Sequence, residues 1–184
     1  MKLSDGEKII IAMLADIKAG LKIKGEIDDK RILSSIYSGN LWSLKWDYSG
    51  LFDVQEIDEL TVKETTNVMD MWGFIERSFA ALNDADKVRV RAIYYNHDPV
   101  FAGFDGNNEP HFSVARHFLE DMDGRFTCFA GRDLNSHSPA IDGYMRMYEV
   151  FEPIRGKLGD RHDANMTADE LISVLEARYH RAGN

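Results

Sequence analysis

The chain has 184 residues, of which 44% are hydrophobic and only 4 are proline, a composition that excludes a disordered polymer and fits one folded domain with a sizeable core. A formal net charge of −9 disfavours a nucleic-acid partner, which calls for a basic excess. The single cysteine, Cys128, rules out an intramolecular disulfide and a cysteine-rich zinc site.

The N-terminal residues have no signal-peptide character, and the longest apolar run, Ile9–Ala15, is far too short to cross a bilayer. The expectation is a cytoplasmic protein with no membrane partner. A capping box at Ser4-Asp-Gly-Glu7 opens a helix through about Ala19, because the two side chains satisfy orphan N–H groups at its start. Ile10, Met13, Leu14 and Ile17 form its apolar stripe, widened by Ile9 and Ile11, and a face that broad packs on more than one neighbour. Asp28 caps a second helix carrying Ile32, Leu33 and Ile36. A third starts near Leu41, with Trp42 and Trp46 four residues apart on one face. That pair reads as core or dimer packing ahead of an aromatic ligand platform.

Asp53–Glu64, with five acids and one lysine, reads as a solvated connection. Thr61-Val-Lys-Glu64 is a second capping box, and Val68, Trp72, Ile75, Phe79 and Leu82 recur at helical spacing behind it. Lys87–Arg91 alternates like a strand yet continues a helical region, so both readings stay open. Val100–Phe104 and Arg125–Phe129 are extended candidates able to pair as a short β hairpin. Between them, Asn107 or Asn108 caps a helix that tolerates Pro110 in its first turn and runs to about Met122, burying Phe112, Ala115, Phe118, Leu119 and Met122. Ser138-Pro139 starts another helix, with Ile141, Tyr144, Met145, Tyr148 and Phe151 inward and Pro153 closing it. A third capping box, Thr167-Ala-Asp-Glu170, opens the last helix. The expected fold is all-α, with six to seven helices, a minor hairpin around 100–104 and 125–129, and a single domain over 1–184 in which 1–50 can serve as a packing arm.

Gly103-Phe-Asp105, Asp123-Gly-Arg-Phe126, Asn135-Ser-His-Ser-Pro139 and Tyr144-Met-Arg-Met147 make the chain resemble the YfbU family of small prokaryotic proteins. Milder likeness reaches Leu3–Ile10, Leu41–Trp46 and Met69–Ser78. The resemblance implies a mainly helical fold and hands over no catalytic residues.

Polar side chains are densest in Gly103–Pro139, where Asp105, Arg125, Arg132, Asp133, Asn135 and His137 are the candidate ligand-binding residues. Asp and Asn in such loops bond neighbouring backbone groups, and Arg125 or Arg132 could pair with Asp105 or Asp133 to lock the loops together. His117 with Glu120 or Asp121, helped by Asp105, Asp133 or His137, is the nearest approach to a metal set. His111 and His117 are six apart and lie on different faces. Cys128, between aromatics, reads as a packed and inert thiol. No G-x-S-x-G elbow, P-loop or dinucleotide fingerprint occurs, so no catalytic residue, metal ligand or cofactor is assigned. The leading expectation is a non-enzymatic protein that forms a homo-oligomer and acts through an unknown protein partner in an interaction or regulatory role. The alternative is a small-molecule or metal-dependent enzyme with its site in 103–139.

Overall fold

A computed structural model describes residues 2–52, 56–122, 124–159 and 164–179. The chain divides into two compact units, residues 1–56 and 57–184.

The first unit holds α1 (Asp5–Leu21), α2 (Asp29–Tyr37), α3 (Trp42–Asp47) and α4 (Ser49–Phe52). The Ser4/Glu7 capping box forms as expected, and Asp28 caps α2 by accepting from the Arg31 N–H. α1 runs two residues past Ala19 and stops where Lys22 turns left-handed, at φ 53°. Lys18 reaches from α1 to Asp29 of α2 at 3.1 Å. The core of this unit is very small. Among its described residues only Ala15, Ser35, Ser43 and Leu44 are buried.

The second unit is built on α5 (Glu59–Ala81). Val68, Met69, Met71, Trp72 and Ile75 on its inner face are fully buried, because apolar residues three and four apart stack on one side of a helix. α7 (His111–Glu120) and α8 (Ile141–Leu158) pack against that face, and α9 (Ala168–Ala177) packs on α8 and on α6 (Asp84–Ile93). The Thr167/Glu170 capping box is present. Among the described residues the fold is all-α, with nine α-helices, one 3-10 turn and no strand. That is more helices than the six to seven expected.

Several local expectations are corrected. Thr61 does not cap α5. Asp58 does, accepting from the Thr61 N–H at 2.7 Å and from its hydroxyl at 3.1 Å, so the helix begins a turn earlier. Lys87–Arg91, for which strand and helix both stood open, is helical, started by Asn83, which accepts from the Asp86 N–H; Val88 faces solvent while Val90 is buried, so the alternation lacks an inner face. Residues 100–104 and 125–129 do not pair. Thr127–Phe129 is a 3-10 turn, and Phe104 instead makes an isolated parallel bridge to Asn135. Neither Asn107 nor Asn108 caps α7, which starts after Pro110 without a side-chain cap. α7 buries His111, Val114, Ala115 and Phe118, leaving Phe112 and Leu119 half-buried and Met122 exposed. Pro139 precedes α8 instead of opening it, and Pro153 lies inside it. Pro153 removes one helical N–H, but burial of Phe151 and Leu158 on either side of it carries the helix through.

Candidate functional site

The segment from Gly103 to Ile141 is organised by backbone polar groups that need partners. Gly103 sits at φ +84°, and a Cβ there would lie 1.7 Å from the Leu134 carbonyl oxygen. Glycine is required on both counts. The close approach lets the Phe104 N–H donate to Leu134 O at 2.9 Å and the Ser136 N–H donate to Phe104 O at 3.0 Å, which ties the two polar loops side by side.

The carboxylates complete the tie. Asp105 is buried; its Oδ2 accepts from the Asn108 amide at 2.7 Å and its Oδ1 from the Asn107 N–H at 2.9 Å. Those two bonds, the Asn108 amide first, hold its carboxyl below the usual range. Asn135 Oδ1 accepts from both Gly106 N–H and His137 N–H, at 3.1 and 3.0 Å, and Asp133 accepts from Asn135 N–H at 2.9 Å. Glu109, also buried, spans the widest gap. Its Oε2 accepts from Asp105 N–H at 2.7 Å, while Oε1 accepts from the N–H groups of Ala140 and Ile141 at 2.6 and 2.8 Å. A side chain from another loop therefore caps α8. Sequence reading passed over this role, although the lack of a capping side chain at Ala140 was its one signal: a helix start without Ser, Thr, Asp or Asn needs a remote acceptor.

The arginines go elsewhere. Arg132 makes a two-pronged pair with Glu76 of α5, at 2.7 and 2.8 Å, and not with Asp105 or Asp133. Its reach of 56 positions to Glu76 is invisible to local pattern. Arg125 lies over the Phe118 ring, 6.0 Å from its centroid, and lines a cavity with Thr66, Asn67, Asp70, Phe126 and Arg155. Arg132 and Asp133 line a different cleft of about 480 Å³ with Phe112, Arg116, Leu119 and Glu120. His137 is exposed, with a left-handed backbone at φ 53°. Five of the six candidate residues thus share two adjoining loops, Arg125 lies in a separate turn, and the six do not share one pocket. Asp105, Asp133 and Asn135 spend their acceptors on backbone N–H groups or on loop neighbours.

Beneath the loops lies an aromatic cluster. Phe104 stacks on His111 at 5.5 Å and meets the Tyr144 ring edge-on at 5.9 Å; Trp72 meets Tyr144 at 5.6 Å. His111 Nε2 is 3.0 Å from Glu64 Oε2. Among the described residues the Tyr144 hydroxyl and Trp72 Nε1 are buried without a hydrogen-bond partner of good geometry. His117 and Asp121 pair at 2.9 Å on the surface, and no three metal-type side chains converge among the described residues. Cys128 is exposed instead of packed, because the 3-10 turn sends Phe129 inward. Partial burial and the Glu76 carboxylate push its thiol up, away from nucleophilic reactivity.

A family model described as the YfbU domain matches residues 1–177. The chain belongs to the YfbU family. It is also similar to the UPF0304 protein MJECS11 of Methanocaldococcus jannaschii, with 27% identity over 128 residues that make up 65% of this chain and 71% of the relative. The YfbU match takes in both units and the whole Gly103–Pro139 segment. No helix among the described residues is long and apolar enough to cross a membrane.

Proposed function

We propose that this YfbU protein is a cytoplasmic, non-enzymatic protein that self-associates through residues 1–56 and acts through protein contacts. The carrying observation is the apolar face of α1. Ile10, Met13, Leu14, Ile17 and Leu21 lie on one side of the helix and each is more than half exposed. Across residues 1–56, thirteen large hydrophobic side chains described are more than two-fifths exposed. Together they offer on the order of 1,000 Å² of surface, the scale that one partner brings to a stable interface.

A second copy of the chain is the occupant this favours. Helices as short as α2, α3 and α4 are marginal in water on their own, and a unit with so small a core gains from cover. A copy of the same chain is present at matched concentration whenever the protein is made. Sedimentation of the full chain at low micromolar concentration tests the reading. The wild type is expected as a dimer or larger species, and Ile10→Glu with Leu14→Glu as a monomer. A strictly monomeric wild type rejects it.

The competing enzyme reading has less support, since the polar groups of 103–139 are largely consumed by backbone N–H groups and by Glu76.

A further inference from the structure

The geometry points to a binding site for a compact oxyanion, a carboxylate or phosphate group, in the second unit between α5, α8 and the Arg125–Phe126 turn. The cavity has a volume of about 430 Å³ and is lined by Thr66, Asn67, Asp70, Arg125, Phe126 and Arg155. Size alone puts it in the range of small-molecule sites.

Its donors are only partly engaged within the chain. Among the described residues, Arg125 has no carboxylate within ion-pair distance and donates no hydrogen bond, and the Asn67 amide donates none either. Arg155 contacts Asp70, Nη2 to Oδ2, at 2.8 Å, yet that buried oxygen lacks an aligned hydrogen bond. Tyr148 also lies beside this guanidinium, and the planar fork has more N–H groups than Asp70 and Tyr148 together take up. Thr66 is not a donor here, because its hydroxyl donates to the Val62 carbonyl at 2.8 Å. The cavity lining carries two guanidinium groups and one carboxylate, a basic excess in a chain whose formal charge is −9. Two fork-shaped donors and one amide match the planar or tetrahedral array of acceptor oxygens on a carboxylate or phosphate.

The backbone supports the same conclusion. Phe126 holds φ 53° directly after Gly124 and Arg125, with Gly124 at φ 83°. A bulky residue in the left-handed region is strained, and such strain gathers where a turn must aim a side chain. Here the turn brings both Arg125 and Phe126 to the cavity lining.

Isothermal titration of the full chain in chloride buffer at constant ionic strength tests the site, with inorganic phosphate and succinate as separate probes. At least one is expected to bind at one site per chain, and the two titrations tell a phosphate preference from a carboxylate preference. Arg125→Gln is expected to weaken binding roughly tenfold or more, as for loss of a charge-assisted bond. Asn67→Asp is expected to abolish binding by placing a second carboxylate in the cavity. Arg116→Gln, in a different cleft that shares no lining residue with this one, leaves binding unchanged. No heat from either probe overturns the proposal, and so does equal binding by wild type and both site variants with unchanged thermal midpoints.

Discussion

At the scale of single residues, Glu109 does most to hold the central segment together. One carboxylate serves three N–H groups on two segments, joining the Asp105 loop to the start of α8. A carboxamide at this position keeps one acceptor oxygen and turns an NH₂ group toward N–H donors, so it can satisfy one end only. Glu109→Gln is therefore expected to destabilise the fold by about 2–3 kcal/mol, the cost of leaving buried donors unpaired. A chemical-denaturation midpoint checks this, and a change under half a kcal/mol, far below that range, contradicts the capping role. Gly103 belongs at this scale too. The Leu134 carbonyl occupies the space of its missing side chain, so that position is fixed by backbone contact and not by chemistry.

Among the elements, α5 shows how far local pattern carries. Its buried face was legible at Val68, Trp72, Ile75 and Phe79, because helical periodicity writes burial directly into sequence. Its start was misplaced by one turn, because the expected Thr61/Glu64 box competes with Asp58. Asp58 wins the Thr61 N–H, and Glu64 turns to His111. Asp58→Ala is expected to lower the thermal midpoint at neutral pH. The Thr61 N–H, and then its hydroxyl, hold the Asp58 carboxyl below the usual range. The stabilisation is thus present above the unfolded value near 4 and lost as pH falls through the folded one. The gap between wild type and variant should close in melts taken toward acid pH, and a gap that persists there contradicts the cap. α8 marks the limit of local reading, since its cap lies 31 positions away in sequence. The same limit applies to the site. Gly103–Pro139 was legible as two loops that meet, and Asp105, Asp133 and Asn135 as backbone-bonding residues. Arg132 was assigned the wrong partner because Glu76 comes close only once α5 is in place. Of the extended reading of Val100–Phe104 only an isolated bridge at Phe104 is present, and that bridge depends on tertiary approach at Gly103.

At the scale of the molecule, two tyrosines are expected to contribute to the loss of stability at alkaline pH. Burial raises the Tyr144 hydroxyl far above its ordinary value despite the Arg178 guanidinium 4.9 Å from its ring centroid, and burial pushes Tyr179 up to about 12. A group raised in the folded state lends stability fully below its unfolded value near 10, and that stability declines as pH rises toward the folded one. Tyr144→Phe removes one such group together with a buried hydroxyl that has no partner of good geometry. The variant is expected to be as stable as wild type at pH 7, or more so, with a shallower decline in thermal midpoint between pH 8 and 11. An unchanged alkaline slope rules out Tyr144 as a contributor.

The three tryptophans divide between the two units. Trp42 and Trp46 meet edge-to-face at 5.3 Å and are 58% and 79% exposed, whereas Trp72 is fully buried. The molecule therefore carries two separate optical reporters. Emission from the exposed pair is red-shifted and open to soluble quenchers, so it registers any surface that comes to cover the first unit. Emission from Trp72 is blue-shifted and shielded, so it registers the melting of the second. A single fluorescence spectrum can tell assembly apart from unfolding.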